Sequence, residues 1–195
     1  VDMFSFWPSE SAPTHLIACI EGGRSQLTGD ADTSAYAPGD KFNPSVQRID
    51  LATGAVETIL RGMTACDGIR TTPWGTVLAT EETDDGGAYE ILDPLAITNH
   101  TIKDRATGEI VDAAGATVTT AIAKRTALPT IAWEGLDITH DGVVYAGDEE
   151  RPGSGPCMAG FRPDRVRGHC PSERLGELLG LRVSDGALDL GVGVG

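Results

Sequence analysis

Two stretches of this sequence place a carboxylate directly before a glycine and two adjacent carboxylates 14 and 15 residues further on. The first is CDGIRTTPWGTVLATEE at 66–82, with Asp67-Gly68 and then Glu81-Glu82; the second is WEGLDITHDGVVYAGDE at 133–149, with Glu134-Gly135 and then Asp148-Glu149. Carboxylates brought together without cations repel one another, and a bound hard cation is the usual resolution. Such an all-oxygen donor set suits Ca²⁺, Mg²⁺ or Fe³⁺. Taken singly, an Asp or Glu before Gly also reads as a turn acid facing water. Recurrence at equivalent positions, with both acidic pairs recurring too, favours the metal reading, with Asp67, Glu81, Glu82, Glu134, Asp148 and Glu149 as candidate ligands. Cys66 precedes Asp67, where a thiolate would add a ligand for a borderline metal such as iron; spacing alone favours a small buried side chain instead. Arg70, three residues beyond Asp67, is placed either to hold an anionic oxygen in catalysis or to face solvent.

The elements that position these residues form a repeat. The two stretches align without a gap: Ile69 falls on Leu136, Thr72 on Thr139, Gly75 on Gly142 and Ala79 on Ala146. A shorter third copy, LIACIEG at 16–22, sets Glu21 opposite Glu82. Each long copy reads as a short strand, a glycine turn (Pro73-Trp74-Gly75 or His140-Asp141-Gly142) and a second strand ending in acids. The spacing predicts a third strand over 87–92 in one copy and over 177–183 in the other, and hairpins at 46–60 and 104–111. His140 is expected to be exposed, Trp74 to be a turn or core aromatic, and the cluster Arg162, Arg165, Arg167 and His169 to lie in an irregular loop.

Antiparallel strands repeating every 60 to 70 residues or so point to an all-β fold and, among such folds, to β-propeller blades in a single domain over 1–195. In that fold the first strand of each blade lines a central funnel, so Asp67 and Glu134 would converge there. Propellers typically close with about four to eight blades. Three repeats, with Gly191-Val192-Gly193-Val194-Gly195 offering no closing strand, read as an incomplete set.

Composition narrows the function classes. A net charge of −14 argues against nucleic acid, which demands basic patches. No stretch approaches the roughly 18 apolar residues of a membrane span. The chain starts at Val1, consistent with an upstream targeting segment outside it. The cysteines Cys19, Cys66, Cys157 and Cys170 follow no CxxC zinc spacing; Cys157 and Cys170 share a loop-like stretch and either pair or remain thiols. No nucleophile elbow, P-loop, dinucleotide fingerprint or HExxH motif is present.

The stretch 66–82, above all Thr72-Pro73-Trp74-Gly75-Thr76 followed by Glu81-Glu82, resembles the signature of the PhoX-type alkaline phosphatases. Trp133-Glu134-Gly135-Leu136 looks like that family's second acidic strand start, and Gly180-Leu181-Arg182-Val183 is similar to its late strand. The resemblance is sharp only over 66–82 and loose over 14–190. It implies a six-bladed propeller, of which this chain carries about three blades. It also implies export from a bacterial cell to the periplasm or beyond, and hydrolysis of a small phosphomonoester by an iron–calcium cluster (Ca²⁺ and Fe³⁺). By position, Cys66 would be the iron-ligating thiolate, Glu81 or Glu82 and Glu134 carboxylate ligands, with an arginine steadying the developing charge. Two other readings remain open: a calcium-dependent lactonase or gluconolactonase-like propeller, whose inner strands also begin with an acid and Gly, and a non-catalytic propeller that binds cations for stability. Cys66 and the Thr-Pro-Trp-Gly-Thr run separate the phosphatase from the lactonase.

Overall fold

The computed structural model describes residues 1–24 and 42–149 in full, and beyond them the backbone of the strands Cys157–Arg162, Arg165–His169, Leu181–Ser184 and Ala187–Leu190. The described chain is all-β, and no helix occurs among its described residues, so none is long and apolar enough to cross a membrane.

Three antiparallel meanders follow one another. The first comprises β1 (Phe4–Trp7), β2 (His15–Cys19), β3 (Pro44–Asp50) and β4 (Val56–Arg61). In the second, β5 (Cys66–Thr71), β6 (Val77–Glu81) and β7 (Ala88–Ile91) pair in sequence order. The chain then leaves to form β8 (His100–Asp104), β9 (Glu109–Val111) and β10 (Thr117–Val118), which extend the first sheet from the edge of β4. It returns as β11 (Ile122–Lys124) to complete the second sheet against β7. The third meander is β12 (Trp133–Ile138), β13 (Val144–Asp148), β14 (Cys157–Arg162) and β15 (Arg165–His169). A further hairpin pairs β16 (Leu181–Ser184) with β17 (Ala187–Leu190).

The expected hairpins at 46–60 and 104–111 are present, closed by turns at Gly54 (φ 73°) and Gly108 (φ 77°). The third strand expected at 87–92 is β7. The third strand of the later repeat is not at 177–183 as the spacing predicts, because β13 pairs with β14 at Cys157–Arg162. The stretch read as an irregular loop is the β14–β15 hairpin, which carries Arg162, Arg165, Arg167 and His169 on strands. Residues 177–180, Cys170 and the tail 191–195 lie outside the described residues.

Packing explains why the middle meander is so deeply buried. Every residue of β6 is buried. Its side chains alternate, as a strand requires: Val77 and Ala79 join a core with Ile17, Ile59 and Ile69, while Leu78 joins a second core with Trp133, Leu136 and Val144. The second sheet therefore lies between its neighbours, covered on both faces.

Pairing registers make the repeat explicit. Phe4 pairs with Ala18, Ile69 with Ala79 and Leu136 with Ala146. Two residues before the first member of each pair stand Asp2, Asp67 and Glu134; three residues after the second stand Glu21, Glu82 and Glu149. The first strands, β1, β5 and β12, are neighbours in space, with β5 between the other two. Both acid positions consequently fall at the same end of the stacked sheets.

Candidate metal centre

Glycine sets the approach of these strands. The ladder is irregular between Cys66 and Ile69 and again between Glu134 and Leu136, at Gly68 and Gly135. A Cβ on Gly68 would stand 2.6 Å from Thr80 Oγ1 and 2.9 Å from Leu136 Cβ, so β5 and β12 could not sit this close with any other residue there. Gly135 adopts φ 65°, a left-handed conformation that glycine tolerates best, and its N–H donates to Asp67 Oδ1 at 3.2 Å. Trp133, fully buried, anchors the start of β12 by donating from Nε1 to Gly86 O at 3.2 Å, which leaves its neighbour Glu134 exposed at the sheet end.

Five carboxylates meet at this end. Asp2, Asp67 and Glu82 each offer an oxygen within 4.8 Å of the others, and so do Glu82, Glu134 and Glu149. Glu82 belongs to both groups, so the groups join the first meander to the second and the second to the third. Burial, and then the Asp2 carboxyl beside it, push Asp67 up to about 7, against the hydrogen bond from Gly135. Glu82 is pushed up to about 7 first by its side-chain hydrogen bond with Glu149, then by burial and by the charges of Glu149, Glu134 and Glu21. Both acids keep their protons to a higher pH than an ordinary carboxylate does. A hard cation occupying the same space would displace those protons, and the donor set, oxygen throughout, fits Ca²⁺ or another hard ion.

The structure brings together Asp67, Glu82, Glu134 and Glu149 of the residues expected from the sequence, and separates the rest. Glu81 is no ligand. It is 1% exposed on the opposite face of β6 and accepts from Arg105 Nε at 2.7 Å, Arg105 Nη2 at 3.1 Å, Thr64 N at 2.8 Å and Gly87 N at 3.0 Å. Strand alternation separates it from Glu82. Asp148 likewise stands outside both groups, and its Oδ1 accepts from Ala132 N at 3.2 Å. Cys66 is bonded through Sγ to Cys19, with both residues fully buried, so the iron-ligating thiolate expected there does not exist in this structure. Cys157 lies in β14, and its pairing with Cys170 falls outside the described residues.

Arg70 lies beside the cluster rather than in it. It borders an open cleft of about 330 Å³ that also reaches Asp2 and Phe4, and it donates to Ile69 O at 3.0 Å and, at 3.5 Å, to exposed Asp137. His140 is exposed, as expected. The Thr-Pro-Trp-Gly-Thr run is a braced turn: Trp74 Nε1 donates to Glu90 Oε1 at 2.6 Å, Thr76 Oγ1 donates to the same oxygen, and Arg125 Nε donates to Oε2 at 2.5 Å. Gly75 turns the chain at φ 85°. This motif therefore positions β5 against β6 and touches no residue of the cluster through these bonds.

Asp2 is the residue that sequence reasoning missed. Ala18 follows Phe4 by 14 residues whereas Ala79 follows Ile69 by 10. An ungapped alignment anchored on Glu21 therefore cannot carry Asp67 back onto Asp2. The available signal was the strand-like run Phe4-Ser5-Phe6-Trp7, which begins two residues after Asp2. No family model matches the chain, and no curated protein matches it.

Proposed function

We propose that this chain is part of a β-propeller whose axial end binds hard cations, calcium foremost, on Asp2, Asp67, Glu82, Glu134 and Glu149, and that the metal-loaded protein hydrolyses phosphomonoesters. One observation carries the metal reading: three successive meanders deliver acids at the same two register positions, and five of those side chains form two triads that share Glu82, with the oxygens of each triad within 4.8 Å of one another. Neighbouring sheets stacked face to face with first strands adjacent support the propeller. The phosphatase assignment rests on the resemblance of residues 66–82 to PhoX-type enzymes.

Bound cations would supply charge to polarise the phosphoryl group. The carboxylates would hold and space the ions, and Arg70, which lines the same cleft as Asp2, would neutralise a phosphoryl oxygen. The Cys19–Cys66 bridge agrees with folding in an oxidising compartment, hence with an exported protein. The same bridge favours a second reading. Without a Cys66 thiolate the site keeps oxygen donors alone, which serve a calcium lactonase or a purely structural calcium site as well as a phosphatase.

Elemental analysis of the purified protein, with turnover of a chromogenic phosphomonoester, tests the assignment. Calcium with phosphate release, both lost in Glu134→Gln, is the expected outcome. Calcium without release of phosphate moves the assignment to the lactonase or structural reading, and absence of any metal returns the acids to surface residues.

A further inference from the structure

The Cys19–Cys66 bridge joins β2 of the first meander to β5 of the second, two strands that share no ladder. Its position relative to the carboxylates is close on both sides. Cys66 immediately precedes Asp67, and Cys19 stands two residues before Glu21, where the backbone of Gly22 accepts from Ala65 N at 2.7 Å. Asp2 is held to the same point, since its N–H donates to Cys19 O at 3.2 Å. The bridge thus fixes the seam across which Asp2 faces Asp67. The Glu82–Glu134–Glu149 group lies across the other seam, between the second and third meanders, where Glu82 bridges to Ala132 and Glu149 N donates to Ala132 O at 2.8 Å. No disulfide reaches that second seam among the described residues.

We propose that the disulfide is a redox-sensitive positioning device that controls cation binding at the Asp2–Asp67–Glu82 group and leaves the Glu82–Glu134–Glu149 group unaffected. The inference rests on the cation reading given above. Metal sites lose affinity when the groups that orient their ligands are removed, by about 10- to 100-fold for an outer partner. Cys19 and Cys66 are such partners, covalently linked to each other and adjacent in sequence or hydrogen bonding to two of the three ligands. Reduction by a dithiol breaks the S–S bond; the two sulfurs take up two protons and two electrons, and the dithiol becomes a cyclic disulfide. Linkage then works in both directions. If the oxidised protein binds calcium tenfold more tightly than the reduced one, calcium makes the disulfide tenfold harder to reduce. That factor lowers the midpoint potential by about 30 mV for this two-electron couple. Both sulfurs are fully buried, so exchange with solvent thiols requires opening at the first seam, and a cation across that seam opposes it.

Calcium titration by calorimetry of the oxidised and dithiothreitol-reduced protein tests the proposal, together with the midpoint potential measured with and without calcium. Two binding events are expected in the oxidised protein. Reduction should weaken one of them about tenfold or more and leave the other unchanged, and calcium should lower the potential by about 30 mV per tenfold. Urea unfolding checks that the reduced protein is folded. Should it not fold, Cys19→Ala/Cys66→Val, which refills the space of the bridge, replaces it in the titration. Equal calcium affinities in both redox states overturn the proposal while sparing the cation reading. Equal weakening of both events also overturns it, because the bridge would then act on the fold as a whole. No calcium binding in either state overturns the cation reading and the proposal with it.

Discussion

Replacing Asp67 with asparagine should stabilise the metal-free protein at alkaline pH, the reverse of what loss of a turn acid does. Asp67 is 3% exposed, and its folded carboxyl is raised from 3.8 to about 7, chiefly by burial and then by Asp2. The folded state therefore holds this proton more tightly than the unfolded chain. The resulting stability is fully present below about pH 4 and is lost as the pH rises through about 7. Some three units at about 1.4 kcal/mol each set an upper limit of roughly 4 kcal/mol. Exposed Asp2 lets solvent relax around the pair, and a contribution of about 2 kcal/mol is the working figure. Asparagine keeps an oxygen for the Gly135 N–H and has nothing to ionise. Urea unfolding followed by tryptophan fluorescence, on protein dialysed free of metal, reads the difference. Asp67→Asn should match wild type near pH 4.5 and exceed it by about 2 kcal/mol at pH 8. Calcium at about 100 times its Kd should then restore roughly 2.7 kcal/mol to the wild type and much less to the variant. An Asp67→Asn protein less stable than wild type at pH 8 without metal, with both proteins responding alike to calcium, would refute the reasoning and make Asp67 a turn acid.

Two adjacent residues separate structure from site. Glu81→Gln removes the buried carboxylate that half-buried Arg105 pairs with, leaving Arg105 its ion pair with Asp85, and should cost about 1.5–3 kcal/mol by urea unfolding, with the calcium affinity of the folded protein unchanged. Glu82→Gln should lose calcium affinity about tenfold or more by calorimetry without loss of stability. Trp74→Phe removes the Nε1 donor to buried Glu90 and should destabilise by about 1.5–3 kcal/mol in the same unfolding assay, leaving calcium binding intact. Loss of calcium binding in that variant would return the turn motif to the site.

How much of this was legible in the sequence follows from what each signal encodes. The repeat could be read because hairpin turns and alternation are local: Gly54, Gly75, Gly108 and Gly142 all turn the chain at positive φ where the glycine spacing places a turn. Residues equivalent in a repeat fall at the same end where the repeats stack, so spacing alone puts Asp67 and Glu134 at one end, although they belong to different groups joined through Glu82. The β14–β15 hairpin was hidden because Arg162, Arg165, Arg167 and His169 crowd its turn and second strand, and a run of cations reads locally as a solvated loop. The partner of Cys66 was hidden too. Cys19 lies 47 residues away and becomes its neighbour only once two sheets pack.

The acidic pairs show most clearly where local reading stops. Adjacent strand residues point to opposite faces, so of Glu81-Glu82 and of Asp148-Glu149 only one each can reach the common end. Parity alone decides nothing unless one knows which face is the interior, and here both faces of β6 are interior. What assigns Glu81 inward is a cation from far along the chain: Arg105, in the turn between β8 and β9, returns from the inserted strands to meet it. The insertion at 92–121 is thus part of the site's logic, because by neutralising the inward acid it leaves the outward one, Glu82, as the carboxylate shared between the two groups. A sequence lacking that arginine would have to resolve the same pair differently, either by losing the inward acid or by burying it protonated.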